Sequence, residues 1–123
     1  MHAFRFERSF HQLGGLTTDE FELIQRLTEI VCRYSEESFH RSAIARSSVL
    51  KGLLVLRHIQ YMFGDARPRV LEIGPGCGYL GAMLMLQGYP YTATDVTQAF
   101  YLYQNRLWNF VSRGQVVELA NDS

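Results

Sequence analysis

From Thr17 onward the chain alternates between helically spaced apolar positions and short, uniformly apolar runs. Leu23, Ile24, Leu27, Ile30, Val31 and Tyr34 recur at the spacing of one helical face and predict a helix over Thr17–Tyr34. Thr17 and Glu20 form a capping-box pair at its start, and Asp19 adds negative charge to the first turn. Ser35 to Arg46 is polar, with few apolar anchors, and carries at most the beginning of a second helix. The helical spacing returns from Ser48 to Phe63 through Val49, Leu50, Leu53, Leu54, Leu56 and Phe63, and Gly64 is a natural stop.

The pattern then shortens. Val70–Ile73 is an apolar strand that turns sharply on Gly74-Pro75-Gly76-Cys77-Gly78. An apolar helical stretch follows to Gln87, ended by Gly88, and a second strand, Tyr91–Thr94, delivers Asp95. Thr97 caps a helix expected to reach Arg113, with Phe100, Tyr101, Tyr103, Trp108 and Phe110 read as packing residues. Gly114 ends it, and Val116–Leu119 reads as a third strand. Ahead of all this, Phe4, Phe6 and Phe10 alternate with polar residues in Met1–Gly15, the pattern of an extended arm laid on the body.

The expected architecture is α/β: an incomplete Rossmann-like, three-layer parallel sheet of about three strands in order 3-2-1, preceded by a helical segment. Residues 1–66 would supply the arm and helices and residues 67–123 the partial cofactor-binding unit, together one domain.

Composition narrows the function classes. Apolar residues make up 47% of the 123 residues, enough for a folded core, and 12 basic residues balance 12 acidic ones. That balance removes any global electrostatic case for nucleic acid or membrane partners. Cys32 and Cys77 are too few for a disulfide scaffold or a zinc site and read as reduced thiols. The charged N-terminus is no signal peptide and no run has the length of a membrane span, so the expected location is cytoplasmic.

The glycine loop is the candidate site. Glycines at 74, 76 and 78 let the backbone turn tightly and approach a ligand, and the loop feeds a helix N-terminus with its partial positive charge. Read from Gly76, the string Gly76-Cys77-Gly78-Tyr79-Leu80-Gly81 is a GxGxxG dinucleotide fingerprint. Read from Glu72, the string Glu72-Ile73-Gly74-Pro75-Gly76-Cys77-Gly78 resembles the first motif of class I S-adenosylmethionine-dependent methyltransferases. Asp95, 17 positions beyond Gly78, matches that family's second motif, an acid ending the next strand. The resemblance is clearest over Val70–Asp95, and the segment DVTQAFYLYQNRLW is similar to sugar O-methyltransferases.

Charge favours the methyltransferase reading. A pyrophosphate seeks N–H donors and avoids carboxylates, yet Glu72 stands at the mouth of the loop and Pro75 removes an N–H from it. S-adenosylmethionine carries an ammonium and a sulfonium and no phosphate. The resemblance implies that Gly74, Pro75, Gly76 and Gly78 line the cofactor and that Glu72 orders the loop. It further implies that Asp95 holds the ribose hydroxyls, that Val96 lies beside the adenine, and that Asp122 is the adenine-facing acid. The implied activity is O-methylation of a small acceptor such as a sugar.

Family members resemble a seven-stranded sheet, whereas this pattern supplies three strands and no substrate-facing motif, so the chain is expected to be catalytically incomplete. None of His2, His11, His40 or His58 stands out as a base, and no histidine or acid cluster has metal-ligand spacing. Strand Val70–Ile73 would keep an open edge, which predicts self-association or coverage by the arm. A non-catalytic interaction module and an NAD(P)- or FAD-binding oxidoreductase domain stay open as alternatives.

Overall fold

A computed structural model describes residues 14–118. Its order is α1 (Thr18–Phe39), α2 (Arg46–Phe63), β1 (Val70–Ile73), α3 (Tyr79–Leu86), β2 (Tyr91–Thr94) and α4 (Gln98–Ser112). The expected arm and its three phenylalanines lie outside the described residues.

Helix α1 starts as its sequence dictates. The Thr17 side chain accepts from the Glu20 N–H at 3.1 Å, and Glu20 returns the contact to the Thr17 N–H at 2.9 Å. It runs five residues past the expected end at Tyr34, because Ser35 and Phe39 find tertiary partners. The Ser35 hydroxyl donates to the Arg41 carbonyl, and the Phe39 ring stacks on Tyr103 at 6.3 Å. His40 then ends the helix in the left-handed conformation. In α2 the buried stripe is Val49, Leu53, Leu56 and Ile59, whereas Leu54 and Phe63 face outward.

Helix α3 is the hub. Its sequence, YLGAMLML, has no polar face, and a helix apolar all round must be enclosed. Six of its eight residues, Tyr79 to Leu84, are buried, and it touches α1, α2, α4 and β2. Gly52 of α2 makes the closest helix crossing possible: a methyl there would stand 3.3 Å from Met83 Cε and 3.4 Å from the Leu80 nitrogen. Leu27, Val49, Leu53, Met83, Leu84 and Leu107 are fully enclosed around this crossing. Truncating any one of them to alanine carries a cost of about 2–5 kcal/mol, the lost transfer energy plus a cavity.

The expected sheet needs correction. The described residues are mostly helical, and they contain two parallel strands in one open sheet, not three in order 3-2-1. The pairing is Val70 with Tyr91 through Ile73 with Thr94. Residues 115–118, expected to begin the third strand, adopt no strand, and Leu119 lies outside the described residues. Val116 packs on the core as a strand residue could, but Val117 is 76% exposed and no ladder to β2 forms, so the alternation alone did not suffice. The Rossmann-like three-layer description is therefore not supported.

All four helices lie against one face of this sheet or on one another. Val70 and Glu72 of β1 and Tyr91 and Ala93 of β2 point to the covered face. Leu71 and Ile73 stand 64% and 79% exposed on the opposite face, beside exposed Thr92 and Thr94. Among the described residues, nothing pairs with the outer edge of β1.

Candidate functional site

The C-terminal ends of β1 and β2 emerge side by side, since parallel strands in register must end together. The Gly74 N–H donates to the Thr94 carbonyl at 2.8 Å, continuing the ladder one step past β1. The loop therefore begins directly beside Asp95. Within it the Gly78 N–H closes a turn onto the Pro75 carbonyl at 3.0 Å.

The loop glycines divide into two kinds. Gly74 and Gly76 have φ of 70° and 59°, and no atom lies within 4 Å of where a Cβ would stand. They form an open backbone cradle. Gly78, with φ of 81°, faces inward: a Cβ there would meet the Trp108 indole at 2.9–3.1 Å. Trp108 Nε1 donates to the Gly78 carbonyl at 2.9 Å, so the ring both fills the space and pins the loop.

Asp95 is the better defined of the two strand acids. Its Oδ1 accepts from the Thr97 N–H at 2.9 Å and its Oδ2 from Gln104 Nε2 at 2.9 Å. These donors, the Thr97 N–H foremost, hold the carboxyl below its ordinary range, so it is ionised at neutral pH. A carboxylate offers about four acceptor positions. With these donors placed, the carboxylate keeps acceptor capacity for a further donor. The Thr97 hydroxyl itself makes no cap hydrogen bond to α4, although Thr97 holds the N-cap position.

Gln104 is the functional residue that the sequence reading passed over. It is almost fully buried, and the same Nε2 that reaches Asp95 also donates to the Gly76 carbonyl at 2.5 Å. One amide thus ties the glycine loop to the end of β2. The signal was present: Gln104 falls on the face of α4 that carries Leu107 and Trp108, where a polar residue needs a partner.

Glu72 plays a different part from Asp95. It lies on the covered face, where its Oε1 accepts from the Tyr91 hydroxyl at 2.6 Å. Burial, reinforced by that carboxylate, pushes the Tyr91 phenol well above its ordinary value, so it stays a donor. Tyr91 in turn packs edge-on against Trp108 at 5.4 Å. The chain Glu72–Tyr91–Trp108–Gly78 orders the loop from its packed side. The Val96 side chain is fully exposed, and Asp122 lies outside the described residues.

A cavity of about 570 Å³ opens between the glycine loop, the Ala43–Ala45 segment and the first turns of α4, lined among others by Cys77, Tyr79, Phe100 and Tyr103. A larger space of about 650 Å³ lies against the start of α1, and two of its several polar residues, Arg57 and Glu20, pair with each other. His40 caps α1, and His58 Nδ1 lies 2.8 Å from the Leu54 carbonyl; neither lines the cavity beside the loop.

Comparison of the chain with protein-family models, with curated proteins and with solved structures finds no match in any of the three. No helix among the described residues is long and apolar enough to cross a membrane.

Proposed function

We propose that this chain is the S-adenosylmethionine-binding portion of a methyltransferase acting on a small-molecule acceptor. One contrast within the loop carries this reading. Gly74 and Gly76 leave an open cradle beside ionised Asp95, whereas Gly78, which a dinucleotide fingerprint would turn toward the pyrophosphate, is covered by Trp108. The first turn of α3 is likewise crossed by α2 at Gly52. A pyrophosphate would find both of its expected contacts taken and a carboxylate nearby.

The residues fit the cofactor as follows. Asp95 would accept from the ribose hydroxyls, Gly74, Pro75 and Gly76 would bound the methionine side, and Val96 would face the adenine. Glu72 acts from behind, through Tyr91, and Gly78 acts by admitting Trp108. When bound, the cofactor supplies an electrophilic methyl group on a sulfonium. The chain's own part is to bind, orient and hold Asp95 ionised.

Calorimetric titration with S-adenosylmethionine, S-adenosylhomocysteine and NAD tests the proposal. Saturable binding of the first two is expected, weakened about tenfold or more by Asp95→Ala, as for loss of a charge-assisted hydrogen bond. NAD binding in their place, or affinity unchanged by Asp95→Ala, overturns it.

A second reading, a non-catalytic module that self-associates, is favoured by the bare sheet. Leu71 and Ile73 are exposed and the outer edge of β1 is unpaired among the described residues. Self-association through that edge belongs to either reading, and a monomeric mass by light scattering across a concentration series would exclude it. A cytoplasmic location is part of the proposal, supported by two free cysteines.

A further inference from the structure

The cavity beside the glycine loop has a chemistry of its own. Ala43, Ile44, Ala45, Ala99 and Phe100 give it apolar walls, and the Tyr79 and Tyr103 rings add two aromatic surfaces. Among the described residues, no charged side chain lines it. Its volume of about 570 Å³ falls within the range of small-molecule sites, roughly 300–1,000 Å³.

Its polar groups are few and mostly committed. The Ser35 hydroxyl donates to the Arg41 carbonyl, and Cys77 Sγ lies 3.8 Å from the Ser48 hydroxyl. The Tyr79 hydroxyl oxygen takes the Ala45 N–H at 3.3 Å and lies near the Tyr103 hydroxyl. Two phenols hold two protons, and at most one of these lies between the two oxygens. One O–H is therefore left to donate. Burial pushes both phenols above their ordinary values, so that proton stays in place at neutral pH.

We propose that this cavity binds a small, uncharged, aromatic or otherwise flat apolar molecule bearing one oxygen acceptor, which the free phenol O–H engages. A sugar fits poorly. Ala43, Ala99 and Phe100 leave the cavity open to solvent on one side, but the hydroxyls a sugar turns onto the lining would meet about one donor, and each one left unpaired there disfavours binding. A charged ligand would find no counter-ion among the described lining residues. Cys77 belongs to both the loop and the cavity, and Ala99 and Phe100 follow four and five positions after Asp95. Naming the occupant as the methyl acceptor rests on the cofactor reading above; its binding does not.

Coumarin, an uncharged bicyclic lactone, is the probe, with methyl α-glucoside as the polar control. The chain is labelled with ¹³C at its alanine methyls and titrated with each. Coumarin is expected to bind saturably and shift the Ala43, Ala45 and Ala99 signals, while the glucoside shifts none of them. Ala99→Trp, or Ala43→Phe from the opposite wall if the first variant does not fold, should weaken coumarin at least tenfold while leaving S-adenosylhomocysteine affinity as in the parent chain. Absence of saturable coumarin binding, shifts confined to other alanines, equal binding of the glucoside, or coumarin affinity unchanged by a folded wall variant each overturn the proposal. S-adenosylhomocysteine is titrated separately, so its failure to bind would count against the cofactor reading alone.

Discussion

Gly81 offers the sharpest test of how the site is built. It lies inside α3, where glycine normally weakens a helix by about 1 kcal/mol relative to alanine. On propensity alone, Gly81→Ala should stabilise the chain. The structure predicts the opposite. A methyl at this position would stand 2.5 and 2.7 Å from Cε2 and Cζ of Tyr91 and 2.9 Å from Trp108 Nε1. Neither ring is free to retreat, because Tyr91 is tied to Glu72 at 2.6 Å and Trp108 to the Gly78 carbonyl at 2.9 Å. Overpacking of this kind costs about 1–3 kcal/mol, and three contacts under 3 Å place it at the upper end. After the helix gain, a net loss of about 2 kcal/mol is expected. Urea unfolding followed by circular dichroism measures it, and Trp108, the only tryptophan in the chain, reports the local displacement by its emission. A Gly81→Ala chain as stable as its parent, with unchanged Trp108 emission, would falsify this packing argument.

Three further outcomes follow from the same contacts. Gln104→Leu keeps the buried volume but removes the amide that joins the Gly76 carbonyl to Asp95; a stability loss of about 1–2 kcal/mol and weaker S-adenosylhomocysteine binding are expected, and unaltered binding would show that the loop does not need this tie. Burial opposes ionisation of Glu20, but the Arg57 guanidinium and the Thr17 N–H outweigh it and hold its carboxyl below the ordinary 4.5. Its contribution is thus present at pH 4.5 and above and fades only as pH falls further, so the stability gap of about 1 kcal/mol between parent and Glu20→Gln should close in acid, and a gap independent of pH would refute the clasp. Burial foremost raises Tyr79, Tyr91 and Tyr103 above the ordinary 10.0, so the unfolded chain loses these protons first and stability should decline as pH rises past 10. Ultraviolet titration alongside circular dichroism checks this: ionisation of the buried phenols without loss of structure contradicts it.

The elements were largely legible because their signals are local. The Thr17–Glu20 capping box, both strands, and the glycine stops at Gly64 and Gly88 needed only neighbouring residues. The errors arose where a distant partner decided the outcome. Helix α1 outran its apolar stripe because Phe39 meets Tyr103, 64 positions away. The third strand, expected over Val116–Leu119, is not formed by the described residues of that stretch.

At the site, the sequence by itself determined the inventory: open glycines, a strand-ending acid, and an apolar segment that had to be enclosed. Composition and backbone sterics suffice for that. Only the tertiary structure separated the glycines by function, since whether a missing Cβ leaves room for a ligand or for an indole depends on where Trp108 folds back. It also assigned the acids, turning Glu72 to Tyr91 on the covered face and leaving Asp95 with acceptor positions to spare. Gln104, silent as one polar residue on a helix, became the tie between loop and strand because burial obliges an amide to find partners, and the fold brought two within reach.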